Sequence, residues 1–225
     1  MQGDLFDYTG IAKPGFPHRF ACILADPPWL ERGGGKSCRG AQGHYPLMKT
    51  SAIAALPVER IACPDAHLWM WATDTFFCNG DALLVADAWG FRPVADFPWV
   101  KMKDGKLQTG IGQYGRKCHE HLLLCVRGAA MVPPPAARLA SVIIAPRTRH
   151  SEKPSEGRRR AELVSPGPRL ELFARTPHRG WTVLGNQAAG GEVQVDCDIA
   201  DQLWALADGM TLKDWQARER ARRIA

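Results

Sequence analysis

Apolar residues in this chain recur in short runs, rich in β-branched and aromatic side chains and bounded by Gly, Pro or Asp. Such runs predict buried strands at 20–24, 67–72, 91–101, 119–126, 141–145, 170–174 and 181–184. Pro98 marks the third of them as irregular or at an edge. Between them the pattern changes to helical spacing. Thr50 or Ser51 can cap a short helix through Leu56, with Pro57 complicating its end. Asp74 stands where an N-cap would, before a helix ending at Gly90, a residue suited to the C′ position. Gly80 inside that helix costs about 1 kcal/mol relative to alanine. Pro154 suits the first position of a helix reaching Ser165, where Pro166-Gly167 stops it. Strands alternating with helices predict an α/β fold around a mostly parallel sheet. Two further helical patterns, 198–207 and 212–224, are parted by Gly209, with Thr211 and Asp214 spaced as a capping box.

The first strand runs directly into Ala25-Asp26-Pro27-Pro28-Trp29. Two consecutive prolines fix φ and remove two N–H donors, so they continue neither a sheet nor an ordinary helix. The result is a stiff corner carrying one carboxylate, backbone carbonyls and a flat ring, at the strand end where open α/β sheets bind ligands. A planar amine conjugated to an aromatic ring suits that chemistry. Asp26 and a proline carbonyl can accept its two N–H hydrogens, and Pro28 and Trp29 offer faces for stacking a base.

Leu30 to Gly43 is glycine-rich, with Gly33-Gly34-Gly35-Lys36-Ser37 at its centre. A phosphate-binding loop needs a glycine where Leu30 stands, and the prolines remove N–H groups where a phosphate cradle would need them. A nucleotide hydrolase is therefore disfavoured, and a mobile loop beside a site is expected. A second polar, glycine-rich loop is expected at 102–117, and an extended linker at 131–135.

Composition adds bounds. The chain has 225 residues, 45% of them hydrophobic, and a formal net charge of +6. A basic balance permits a polyanionic partner without requiring one. No run approaches the roughly 20 apolar residues of a membrane span, and the N-terminus lacks the layout of a signal peptide. Seven cysteines without a Cys-x-x-Cys pair indicate neither a disulfide framework nor a zinc ribbon, so a reducing cytoplasm is expected.

Cys118, His119, His121 and Cys125 resemble a metal cluster, but strand alternation puts Cys118 opposite the two histidines and no second ligand pair completes a tetrahedral set. No metal site is expected there. Glu120 and Glu171 are carboxylates inside otherwise apolar strands, and such groups need partners. Glu171 near a strand end is a natural acceptor for ribose hydroxyls. With Arg175 and Asn186-Gln187 it outlines a possible cofactor pocket across adjacent strand ends. The arginine-bearing last helix, with Arg218, Arg220, Arg222 and Arg223, reads as a solvated or docked hairpin ahead of a phosphate-binding one.

Taken together, Asp26-Pro27-Pro28-Trp29, His44-Tyr45-Pro46, Trp99-Val100-Lys101, His119-Glu120-His121, the stretch 151–156, and 168–175 with 181–187 resemble the adenine-N6 methyltransferases related to the catalytic subunit of the mRNA adenosine methyltransferase, in their bacterial and phage form. The resemblance implies a Rossmann-like domain over 1–187 using S-adenosylmethionine, followed by a basic C-terminal helical extension over 188–225. It implies that Asp26, Pro27, Pro28 and Trp29 form the catalytic corner, and that Tyr45, Glu120 and Lys101 serve the adenine. Lys153, Glu171, Arg175, His178, Asn186 and Gln187 would contact the cofactor, with Asp4-Leu5 a further pair. The implied partner is nucleic acid, DNA ahead of RNA, with no membrane; monomer, homodimer and heterodimer all stay open. The rival expectation is a catalytically silent nucleic-acid-binding subunit, whose degeneration would show first at the catalytic corner.

Overall fold

The computed structural model describes residues 19–30, 47–147, 152–185 and 198–224. In chain order its elements are β1 (Phe20–Ala25), α1 (Thr50–Ala54), α2 (Val58–Ile61), β2 (Ala62–Ala72), α3 (Asp74–Cys78), α4 (Asp81–Ala88), β3 (Arg92–Asp96) and β4 (Trp99–Lys103). There follow β5 (Lys106–Leu107), β6 (His119–Arg127), β7 (Ile143–Ala145), α5 (Ser155–Val164), β8 (Arg169–Leu172), β9 (Thr182–Leu184), α6 (Ile199–Ala207) and α7 (Leu212–Ile224).

All nine strands join one sheet in the order β5-β4-β6-β2-β1-β8-β9, with β3 also on β6 and β7 on β4. The half β2-β1-β8-β9 is parallel, as the alternation of strands and helices predicts. From β2 outward the sheet turns mainly antiparallel, because β6 pairs with β2, β3 and β4 in that sense, while β7 runs parallel to β4. The Phe97-Pro98 step divides the expected strand 91–101 into β3 and β4, since proline cannot donate to a ladder.

Alternation along the strands separates two cores. Ile23, Met70, Leu123 and Leu170 face one layer, where α1 to α4 and α6 supply Ile53, Val58, Phe76, Val85 and Leu203. Cys22, Leu24, Trp71 and Leu122 face the other, which α5 covers with Ala161 and Val164. Buried indoles find acceptors. Trp69 donates to Ser165 Oγ at 2.9 Å, Trp89 to the Ile53 carbonyl at 3.1 Å and Trp99 to the Ala145 carbonyl at 2.9 Å.

The expected helix from Asp74 to Gly90 is two. Gly80, at φ +82°, breaks it and becomes the N-cap of α4, while Thr73 rather than Asp74 caps α3. Gly90 does close α4: its N–H bonds the Asp87 carbonyl and that of Phe91 the Ala86 carbonyl, the pair of a Schellman motif. Pro154 caps α5 instead of opening it, and Lys49 caps α1. Asp198 caps α6 through the Ala200 N–H. Thr211 Oγ1 accepts from the Asp214 N–H and donates to that carboxylate. No described helix is long and apolar enough to cross a membrane.

Candidate active site

The same alternation explains why the carboxylates meet. Leu24 faces α5, so Asp26, two residues on, emerges on that side. Glu120, two before Leu122, does likewise, and Glu171 lies between Leu170 and Leu172, which face away. Because β6 runs antiparallel to β2, its first residues stand beside the carboxyl ends of β1 and β2. Lys153, just before α5, enters this cluster from above the sheet.

Lys153 Nζ lies 2.8 Å and 3.0 Å from the two oxygens of Asp26 and 3.4 Å from Glu120 Oε2. Lys101 Nζ donates to Glu120 Oε1 at 2.6 Å. Two carboxylates and two ammonium groups thus alternate in a row, from Asp26 through Lys153 and Glu120 to Lys101. Burial pushes the Asp26 carboxyl above its ordinary range, with Lys153 offsetting part of the rise. Burial also pushes Glu120 up, but Lys153 and Lys101 outweigh it and hold that carboxyl below its ordinary value. Lys153 lies 5.9 Å from the centre of the Trp71 ring, within reach of a cation–π attraction.

The corner differs from its expected form in two respects. Its carbonyls are not free: the Pro27 oxygen accepts from the Trp29 N–H at 2.9 Å and the Pro28 oxygen from the Met48 N–H at 2.8 Å. Each keeps a second lone pair. Trp29 is not an open stacking platform. It is 7% exposed, stacks on Phe76 at 5.0 Å and donates its indole N–H to the Trp71 carbonyl at 3.1 Å. Burial of that ring anchors the corner against α3.

A cavity of about 840 Å³ opens between α5 and the ends of β1 and β8, lined among others by Asp26, Lys153, Glu171, Arg175 and His178. Five residues spread over 152 positions of sequence therefore share one cavity, of a size that takes a drug-sized or cofactor-sized molecule. Glu120 and Lys101 do not line it; they stand behind Lys153. Both oxygens of Glu171 accept from Arg158, at 3.1 Å from Nε and 3.2 Å from Nη2, a fork geometry that fixes a carboxylate's plane. His178 Nε2 is 3.0 Å from Thr176 Oγ1 and 4.0 Å from Glu171. Burial and the nearby Arg158 depress its pKa, so it is neutral near pH 7.

Tyr45, Asn186, Gln187, Asp4 and Leu5 lie outside the described residues. Arg158 and Gly157 had no sequence signal beyond membership of a helix. A Cβ on Gly157 would come within 2.5 Å of the buried Trp71 ring, so the missing side chain sets how close α5 comes to the sheet.

A carboxylate-bearing, donor-poor corner and a cavity with a second strand-end carboxylate, both on one face of a parallel sheet half, lie where a Rossmann-like fold binds its ligands. Comparison with known proteins gives the class. The MT-A70 family model matches residues 20–187, and the chain belongs to that family. It is 27% identical over 196 residues to the type II methyltransferase M.MunI of a Mycoplasma species, covering 79% of this chain and 81% of that one. It is 30% identical over 181 residues to a putative N(6)-adenosine-methyltransferase MT-A70-like of Medicago truncatula and 30% identical over 179 residues to the human N(6)-adenosine-methyltransferase catalytic subunit METTL3. Those two matches cover 76% of this chain but only 27% and 29% of the relatives' lengths.

Proposed function

We propose that this protein transfers a methyl group from S-adenosylmethionine to the exocyclic N6 amine of adenine in nucleic acid, with DNA ahead of RNA. The observation that carries the reading is that Asp26 opens into the cavity that also holds Glu171, on one face of the sheet. Family membership supports the reaction class, because the relatives are named as adenine or adenosine N6 methyltransferases. DNA is put first because a relative matched over 81% of its own length is a type II methyltransferase.

The residues fit both ligands. Glu171, oriented by Arg158, presents a carboxylate suited to a pair of ribose hydroxyls. Phe173, Leu24 and Trp71 line the same cavity with apolar surface. When bound, the cofactor supplies an electrophilic methyl on a sulfonium. The protein's part is orientation and charge. Asp26 and the Pro27 carbonyl accept the two amine hydrogens, which draws the nitrogen lone pair out of conjugation with the ring. As an N–CH3 bond would form and the S–CH3 bond break, the cofactor leaving as a neutral thioether, positive charge would grow on the nitrogen; the Asp26 carboxylate stabilises it until one N–H proton is lost to solvent. An incoming amine competes with Lys153 for Asp26, and Glu120 at 3.4 Å offers that ammonium a second carboxylate to move onto.

Labelled methyl transfer to DNA and to RNA, read as N6-methyladenine by mass spectrometry, tests the proposal. Asp26→Ala is expected to lower transfer by at least about a hundredfold while cofactor affinity, measured by calorimetry, stays within a few-fold. Retained transfer in that variant would overturn the assignment. Loss of cofactor binding would show instead that Asp26 belongs to the cofactor site.

A further inference from the structure

The face of β6 that points away from Glu120 carries a cluster the proposed transfer does not use. His119 and His121 project there, towards the layer that holds α3, whose first residue is Asp74. Asp74 Oδ1 lies 3.1 Å from His119 Nε2 and 3.5 Å from His121 Nε2, and a donor atom from each residue falls within 4.8 Å of the others. Ligands bound at 2.0–2.1 Å around a tetrahedral zinc stand about 3.3 Å apart, so two of these separations already match such a polyhedron.

The surroundings point the same way. His121 Nδ1 shares a 2.8 Å hydrogen bond with Asp96 Oδ2, and the ring lies flat on Phe77, 4.0 Å between centroids at 7°. A carboxylate on one imidazole nitrogen fixes the tautomer and turns the lone pair of the other outward, the arrangement typical of metal-binding histidines. Here the outward nitrogen faces Asp74. The Oδ1 atom of Asp74 is buried and accepts no hydrogen bond among the described residues, although two imidazole nitrogens stand within 3.5 Å. A buried carboxylate oxygen facing two imidazole nitrogens needs a cation to share, either a proton on one imidazole or a metal ion between them. Cysteine does not complete the set: burial pushes the Cys125 thiol up to about 12, and Cys118 alternates to the opposite face of the chain from His119.

We propose that Asp74, His119 and His121 form a binding site for a divalent transition-metal ion, zinc in type, with Asp96 orienting His121. Two nitrogens and one oxygen suit such an ion. The side chain of His119 is 39% exposed, which leaves the fourth position accessible to water. The ion ties the start of α3 to the start of β6. Both elements serve the active corner from behind, since α3 carries Phe76 against Trp29 and β6 carries Glu120 against Lys153. The site is a clamp on the catalytic scaffold and does not depend on which reaction that scaffold performs. The local pattern around the histidines concealed it because the carboxylate comes from 45 positions earlier in the chain.

The test uses the full chain, stripped by chelation and titrated with Zn²⁺ alone, followed by calorimetry and thermal unfolding. One saturable equivalent and a raised unfolding midpoint are expected. His119→Ala, a change at a half-exposed side chain, removes both; Asp74→Asn does the same with little change in volume. Asp96→Asn weakens binding by about tenfold to a hundredfold. Because the chain has seven cysteines, Co²⁺ is loaded in parallel, and its spectrum is expected to lack a thiolate charge-transfer band. Absence of saturable binding would overturn the proposal and leave protons alone holding the cluster. Equal binding by wild type and His119→Ala, or a thiolate–cobalt spectrum, would overturn it by placing the ion elsewhere.

Discussion

At Asp26 two demands oppose each other. For the proposed transfer the carboxylate must be ionised to accept an amine, yet burial favours its protonated form. Lys153, in contact with both of its oxygens, supplies the compensating charge, and Glu120 with Lys101 holds that lysine in turn. With the folded pKa of Asp26 above its ordinary value, activity falls as pH drops through that raised value, so the acid limb of the pH–rate profile lies above the usual carboxylate range. Removing the ammonium raises the pKa further. Lys153→Met is therefore expected to move the acid limb of kcat/KM to higher pH, measured as initial methyl-transfer rates across pH. An unmoved limb would show that the titrating group is not Asp26. For stability the two carboxyls act in opposite senses. Glu120, depressed, contributes stability above its unfolded pKa that is lost as pH falls through its folded one. Asp26, raised, contributes stability that is fully present below its unfolded pKa and is lost as pH rises through its higher folded one.

Among the elements, α5 does most to assemble the site. It is tied along its length. Arg158 grips Glu171 of β8, Arg160 donates to the Ala140 and Val142 carbonyls at 2.6 Å and 2.9 Å, and Glu162 accepts from the Trp181 indole at 2.8 Å. Arg158 and Glu162 stand four apart, on one helical face. Gly157 lets this helix settle against Trp71. Alanine there gains up to about 1 kcal/mol in helix propensity, but its Cβ would meet a fully enclosed ring at 2.5 Å. Overpacking of that kind costs about 1–3 kcal/mol, so a net loss of stability is expected in denaturant unfolding, and displacement of Arg158 should weaken cofactor binding in the same variant. A more stable Gly157→Ala protein with unchanged cofactor affinity would refute the close-approach argument. The sequence showed where this helix lies to within one residue at its start, because Pro154 and Pro166 bracket it. It did not show Gly157 as special, because a contact with a tryptophan 86 positions away leaves no local mark.

Over the whole molecule, the family match ends at 187, but the hydrophobic core does not. Ile199, Leu203, Leu206 and Ala207 of α6 belong to the same cluster as Ile23, Met70 and Leu170 of the sheet. Trp215 of α7 is 7% exposed. On the outer side, Arg60 of α2 lies over the Trp204 ring at 4.8 Å. Burying each large aliphatic side chain contributes about 1.5–3 kcal/mol, against a typical total stability of about 5–15 kcal/mol. Truncation after 187 is accordingly expected to give an unstable, aggregation-prone chain. Thermal unfolding and size-exclusion chromatography check this, and a truncated protein with an unchanged midpoint would mean that α6 contributes little to the core.

The sequence by itself determined most of the strands and the stiff corner after β1, though not the division of 91–101 or the short β5 inside the expected loop. Those features are local: alternation has period two, and proline acts on its own residue and the one before it. The break at Gly80 is local too, a glycine in the left-handed region, whereas the antiparallel turn of the sheet beyond β2 depends on where β6 docks. Only the tertiary structure decided the partners. Lys153 meets Asp26 across 127 positions, Trp29 turns its ring into the core rather than towards a base, and Asp74 joins two histidines that looked incomplete alone. Such meetings depend on how layers stack, and buried charge takes whichever opposite charge the stacking brings within reach.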